Sequence, residues 1–132
     1  RTDLMGHAKA TFVATDYLEP FGGVSIESLL SGTPVITTNF GCFPETIPHG
    51  VVGYRCQTLD HFVWAARNID KISPEKCREY AKKNYSIERV SKMFDEWFNN
   101  LYHLYLSSEG LSGEGWYWID KNRNGIEFLN KY

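Results

Sequence analysis

The fold of this chain is decided by residues 11–38, which read TFVATDYLEPFGGVSIESLLSGTPVITT. The apolar run Thr11–Ala14 predicts a buried strand, and Pro34–Thr38 predicts a second one. Between them, residues 24–30 have the pattern of a short helix, with Gly32 in the position of a C-terminal cap. A strand, a helix and a second strand in this order are typical of a parallel βαβ unit.

The same alternation continues after the second strand. Residues 51–56 predict a weaker third strand, and residues 58–69 carry apolar side chains at helical spacing. Ser73 followed by a proline predicts the start of a helix to about Asn84, and a longer amphipathic helix follows from residue 86. We therefore expect an α/β fold, a Rossmann-like parallel sheet flanked by helices.

The segment EPFGGVSIE, residues 19–27, lies between the first strand and its helix, where α/β sheets bind ligands. Its proline and two glycines prevent one continuous helix, so Glu19 is predicted in a loop and Glu27 about one turn into the helix. At the start of that helix, the backbone N–H groups of Gly23, Val24 and Ser25 are expected to be free. Together with the helix dipole, they predict an anion site.

The two carboxylates have natural partners beside such an anion site. An ionised glutamate only accepts hydrogen bonds, and the neighbouring hydroxyls of a sugar or a ribose donate them in pairs. The pattern therefore favours a ligand in which a phosphate lies between a sugar and a ribose, as in a nucleotide sugar. A plain glycine turn, in which Glu27 only stabilises the start of the helix, remains an alternative for this segment taken alone.

The run from Ala10 to Gly53 resembles the retaining family 4 glycosyltransferases of the GT-B fold. Five elements agree in order and spacing: a strand, the E-x7-E pair at residues 19 and 27, SGTPVI at 31–36, GCFPE at 41–45, and the glycines at 50 and 53. The resemblance extends less specifically to about Leu106. It implies that the chain is the carboxyl-terminal, donor-binding part of such an enzyme.

The resemblance also implies roles for single residues. Glu19 would be the catalytic residue that contacts the hydroxyls of the transferred sugar, and Glu27 would bind the ribose diol. The backbone facing the sugar and the amides holding the distal phosphate would come from the turn between them: Phe21 and Gly22 for the sugar, Gly23 and Val24 for the phosphate. No metal and no cofactor are implied. Gly23 stands where the family usually has a larger aliphatic residue, and Cys42 where it usually has glycine or serine.

Charge indicates that part of the donor site lies elsewhere. The 14 Lys and Arg against 16 Asp and Glu give a net charge of −2, which argues against a nucleic-acid partner. Residues 10–54 contain no Lys or Arg, although a nucleotide diphosphate is an anion. In the family, the compensating cations lie upstream. Because the first residue is Arg1 rather than a methionine, we expect a piece of a longer protein whose amino-terminal domain is missing.

We predict two regions. Residues 1–106 are the carboxyl-terminal portion of the nucleotide-sugar-binding domain, and residues 107–132 are a Gly/Ser linker with an aromatic-rich tail. Ten of the 20 aromatic residues lie between Phe94 and Tyr132, so this end is expected to pack against the missing domain or to self-associate in its place. No apolar run reaches 18 residues, and the three cysteines are far apart. Both features favour a cytoplasmic protein, with peripheral membrane attachment of the full-length protein left open.

The predicted function is that of a hexosyltransferase, inactive as this fragment. Its partners would be a nucleotide-diphosphate sugar donor and a glycan, lipid or small-molecule acceptor. Two alternatives remain at this point: a sugar-nucleotide epimerase of the same fold, and a noncatalytic nucleotide-binding module.

Overall fold

The computed structural model describes residues 1–107. Helices and strands alternate as far as residue 68 and helices alone follow, which confirms the predicted order of the three strands and the longer helices, with strand ends shifted by one or two residues. Two short helices, at residues 2–7 and 43–46, are additional to the prediction. The elements are α1 (Thr2–His7), β1 (Thr11–Val13), α2 (Gly23–Leu30), β2 (Val35–Thr38), α3 (Phe43–Thr46), β3 (Gly53–Cys56), α4 (Leu59–Asn68), a 3-10 turn (Ile69–Lys71), α5 (Pro74–Tyr85) and α6 (Ile87–Ser107). The predicted linker and tail, residues 107–132, lie outside the described residues apart from Ser107.

The three strands form a parallel sheet in the order β1-β2-β3. Val35 of β2 is in register with Thr11 on one side and with Gly53 on the other. Gly53 fits because a Cβ atom there would lie only 2.2 Å from the Val35 carbonyl oxygen. The central strand is the most buried, since Val35, Ile36 and Thr37 have no exposed surface. The α/β, Rossmann-like class with a parallel sheet flanked by helices is therefore confirmed.

Helix α2 ends where the sequence predicts it. Gly32 adopts a left-handed backbone with φ of +84°. Its N–H donates to the Leu29 carbonyl, and the Thr33 N–H donates to the Ser28 carbonyl, both at 2.9 Å. These two bonds form a Schellman motif, which stops the helix and starts the chain towards β2.

Helix α5 begins at a capped residue and packs against α2. Ser73 is the N-cap, and its hydroxyl accepts the Lys76 N–H at 3.3 Å while donating to Glu75 at 2.7 Å. Pro74 follows at the first helical position, as the sequence predicts. The cap at Ser73 therefore defines where α5, the helix that packs against α2, begins.

Residues Arg1–Arg89 form one compact unit, and Val90 begins a second. The apolar core of the first unit is formed largely by the sheet and the helices that cover it, and its largest fully buried side chains are Phe43, Leu29, Ile36, Ile47, Val35 and Val52. Three free thiols, those of Cys42, Cys56 and Cys77, are buried in it. Within residues 1–107, no helix has both the length and the apolar character needed to cross a bilayer.

Candidate functional site

The site is the loop that joins β1 to α2. Gly22 is the N-cap of α2 and has a left-handed backbone with φ of +74°. A Cβ atom at Gly22 would lie 2.9 Å from the Phe43 ring and 3.2 Å from the Cys42 sulfur. Only glycine meets both demands without strain, because other residues avoid this backbone region and a side chain would collide with α3. The sharp turn places Glu19 and the amino end of α2 next to each other.

The Glu19 carboxylate is held by two hydrogen bonds, one to each oxygen. The Tyr17 hydroxyl donates to Oε2 at 2.5 Å, and the Gly22 N–H donates to Oε1 at 3.1 Å. The hydrogen bond from Tyr17 is the main cause that lowers the pKa of Glu19, and the bond from the Gly22 amide contributes less. The same hydrogen bond, with the nearby Glu19 charge, raises the pKa of Tyr17. Glu19 is therefore an oriented, ionised acceptor at neutral pH.

The backbone of Glu19 is fixed by the loop that follows β2. The Cys42 N–H donates to the Glu19 carbonyl at 2.9 Å. Gly41, with φ of +66°, packs so closely that a Cβ atom there would lie 2.8 Å from the Glu19 nitrogen. The carboxyl ends of β1 and β2 thus meet at Glu19, as expected for a ligand site at this edge of a parallel sheet.

The first turn of α2 presents two open amides. Among the described residues, the N–H groups of Gly23 and Val24 have no hydrogen-bond partner, and both residues are exposed. The prediction that the Ser25 N–H is also free is wrong, because it donates to the Gly22 carbonyl at 2.9 Å. The same carbonyl accepts the Ile26 N–H at 3.3 Å, as the carbonyl of an N-cap residue ordinarily does. Two amides at the positive end of the helix dipole remain available to an anion.

Glu27 lies on α2 and forms an ion pair with Arg1. One guanidinium nitrogen bridges both carboxylate oxygens, at 2.6 Å from Oε1 and 2.5 Å from Oε2. The Glu27 side chain is 38% exposed, although its Oε2 atom is buried. Arg1 was not predicted as a site residue, since 26 residues separate it from Glu27 and no local pattern links the two.

Phe21 lies at the tip of the turn and is half exposed. Its ring meets Tyr85, at the end of α5, edge to face with centroids 6.0 Å apart. Tyr80 packs on Tyr85 and donates from its hydroxyl to the Thr46 carbonyl at 3.0 Å. Burial raises the pKa of Tyr85, so its phenol stays neutral. The end of α5 therefore supports the tip of the turn, a contribution that the motif residues do not reveal.

The arrangement has a defined chemical capacity. Glu19 and Glu27 accept hydrogen bonds, and the amides of Gly23 and Val24 donate them. A complementary ligand would offer hydrogen-bond donors to the carboxylates and an anionic group to the amides. Tyr17 was missed by sequence reasoning, although its position two residues before Glu19 was a signal that could have found it.

Residues 2–86 match the family model described as glycosyl transferases group 1. The chain is 37% identical over 57 residues to a glycogen synthase of Mycobacterium tuberculosis, and this alignment covers 43% of this chain and 14% of that enzyme. It is 35% identical over 79 residues to a sucrose synthase of Acidithiobacillus caldus, and this second alignment covers 60% of this chain and 10% of that enzyme.

The chain thus spans about a seventh or less of the length of these curated relatives. The family match covers the sheet, the glycine turn and the helices as far as the end of α5. Because this matched region includes every element that builds the site and exceeds half of the chain, the chain belongs to the group 1 glycosyl transferases.

Proposed function

We propose that the full-length protein is a retaining hexosyltransferase of family 4, and that this chain supplies the sugar- and ribose-contacting half of its donor site. The observation that carries the proposal is the α2 turn, where two unpartnered amides lie between an oriented carboxylate and a second carboxylate on the helix. A nucleotide-diphosphate sugar has the matching order of groups: sugar hydroxyls, phosphate, ribose diol.

Each part of the donor has a proposed partner. Glu19 is the catalytic residue and accepts from hydroxyls of the transferred sugar, beside the backbone of Phe21 and Gly22. The amides of Gly23 and Val24 hold the distal phosphate. Glu27 accepts from the ribose diol, and because Arg1 bridges both of its oxygens, ribose must either share the carboxylate with Arg1 or displace it.

The reaction needs little from the protein beyond placement and electrostatics. The bond between the sugar C1 and the phosphate oxygen breaks as the acceptor oxygen approaches from the same face. The acceptor oxygen bonds to C1 on the face that the phosphate leaves, so configuration is retained, and the departing phosphate takes the acceptor proton. The two amides at the start of α2 stabilise the negative charge that grows on this phosphate.

Two partners follow from the proposal. Residues 10–54 carry no Lys or Arg, and Arg1 is already paired with Glu27, so the cations that balance a diphosphate come from the amino-terminal domain of the same protein. The acceptor is a glycan, lipid or small molecule held mainly by that domain. The relatives are named as synthases of glycogen and of sucrose, which favours sugar transfer over epimerisation.

Variants of the full-length enzyme test the assignment. We expect Glu27→Gln to weaken donor binding by about 10- to 100-fold, the range for losing a hydrogen bond to a charged group. Glu19→Ala should lower kcat. Glu79→Gln, an exposed glutamate on α5, is the control and should change neither. Calorimetry with UDP-glucose and GDP-mannose measures binding, and unchanged kinetics in both site variants would contradict the proposal.

Product analysis tests the chemistry. The anomeric configuration of the product, read by NMR, should match that of the donor, and inversion would refute retention. A transferase should release free nucleotide only when an acceptor is added. Interconversion of the donor sugar without nucleotide release would instead identify an epimerase.

A further inference from the structure

Tyr17 contacts Glu19 from within the same loop, two residues before it. We propose that Tyr17 is a positioning residue, whose phenol holds the Glu19 carboxylate in the orientation that faces the transferred sugar. The inference rests on the role proposed above for Glu19. It adds to that role a residue outside the E-x7-E pair and the glycine turn.

The contact geometry supports positioning rather than simple packing. Tyr17 donates to Oε2 at 2.5 Å while the Gly22 amide donates to Oε1 at 3.1 Å. Two donors on two different oxygens fix both the place and the plane of the carboxylate. A carboxylate has about four acceptor positions, so each oxygen can still accept a sugar hydroxyl.

The backbone of Glu19 is already held by neighbouring residues, so only the orientation of its side chain remains to be fixed. Its carbonyl accepts the Cys42 N–H at 2.9 Å, and Gly41 packs against its backbone nitrogen. Without the phenol, the carboxylate would keep only the backbone amides of the turn, the hydrogen bond from Gly22 and a weaker interaction with Phe21. Tyr17 therefore removes the freedom that the backbone contacts leave.

Charge keeps the proton on the phenol. The hydrogen bond to Glu19 and the charge of that carboxylate are the main causes that raise the pKa of Tyr17, and the charge of Asp16 in the same loop adds to them. In return, the bond from Tyr17 lowers the pKa of the Glu19 carboxyl, while the buried Cys42 thiol at the N-cap of α3 has a raised pKa and stays neutral in this range. The contact is consequently an O–H···O⁻ hydrogen bond across the neutral range, which is a strong and directional type.

Tyr17→Phe in the full-length enzyme tests the proposal, because it removes only the hydroxyl. Tyr17 is 56% exposed, so the fold should tolerate the change. We expect kcat to fall about tenfold, less than the roughly 100-fold cost of a 1 Å misplacement, with the donor KM changing little. The acid limb of the pH profile of kcat should move to higher pH, since the pKa of Glu19 returns towards its ordinary value. Glu79→Gln, the exposed control on α5, should leave both kcat and the pH profile unchanged.

A double variant separates this inference from the role of Glu19. If Tyr17 acts through Glu19, Tyr17→Phe combined with Glu19→Gln should be no slower than Glu19→Gln alone. If Glu19→Gln is slow while Tyr17→Phe keeps the wild-type rate and pH profile, the positioning role of Tyr17 is overturned and the proposed function stands. A fully active Glu19→Gln enzyme would overturn both. Additive losses in the double variant would also overturn the inference.

Discussion

Gly22 and Gly23 are neighbours in the sequence but should respond in opposite ways to alanine. At Gly22 the backbone is left-handed, and an L-residue there costs about 1–2 kcal/mol. The new methyl group would also lie 2.9 Å from the Phe43 ring. Such overpacking costs about 1–3 kcal/mol. Gly22→Ala should therefore lower the free energy of unfolding by about 2–5 kcal/mol, a large part of the 5–15 kcal/mol that is typical of a domain.

Gly23 is the matched control, because it starts α2 with an ordinary helical backbone and a Cβ atom there would meet nothing within 4 Å. Gly23→Ala should raise the free energy of unfolding by about 0.4–1 kcal/mol by restricting the unfolded chain. Urea unfolding followed by circular dichroism gives both values. Equal stability of the two variants would refute the account of the turn.

Three further outcomes follow from the same structure. Ser73→Ala should destabilise the chain by about 1 kcal/mol in urea unfolding, because α5 loses its N-cap, and no change would mean that the cap is unimportant. The thiols of Cys42, Cys56 and Cys77 should react with a disulfide reagent only after denaturation, since all are buried and burial raises the pKa of Cys77 to about 11. Calorimetry of this chain alone with UDP-glucose should detect weak binding or none. Tight binding would contradict the proposal that the cations balancing the diphosphate come from another domain.

The sequence was most informative where one physical cause acts over a few residues. The apolar runs predicted all three strands, and Gly32 and Ser73 predicted the end of α2 and the start of α5, because caps and turns depend on local backbone chemistry. The free amide at Ser25 was predicted wrongly, since the carbonyl of the N-cap Gly22 accepts from Ser25 as well as from Ile26, a detail of the first turn that the sequence pattern does not specify. Contacts between distant segments, such as Arg1 with Glu27, leave no periodic signal in one sequence.

The two glutamates of the E-x7-E pair look equivalent in the sequence but are held by different forces. Glu19 is fixed by hydrogen bonds from Tyr17 and Gly22, within three residues of it, so its geometry depends on the local turn. Glu27 is held by an ion pair with Arg1, whose side chain is 65% exposed. Salt screens exposed ion pairs strongly and hydrogen bonds within a turn much less. Raising the salt concentration should therefore release Glu27 from Arg1 and leave Glu19 oriented, so the part of the site around Glu27 is adaptable and the part around Glu19 is preorganised.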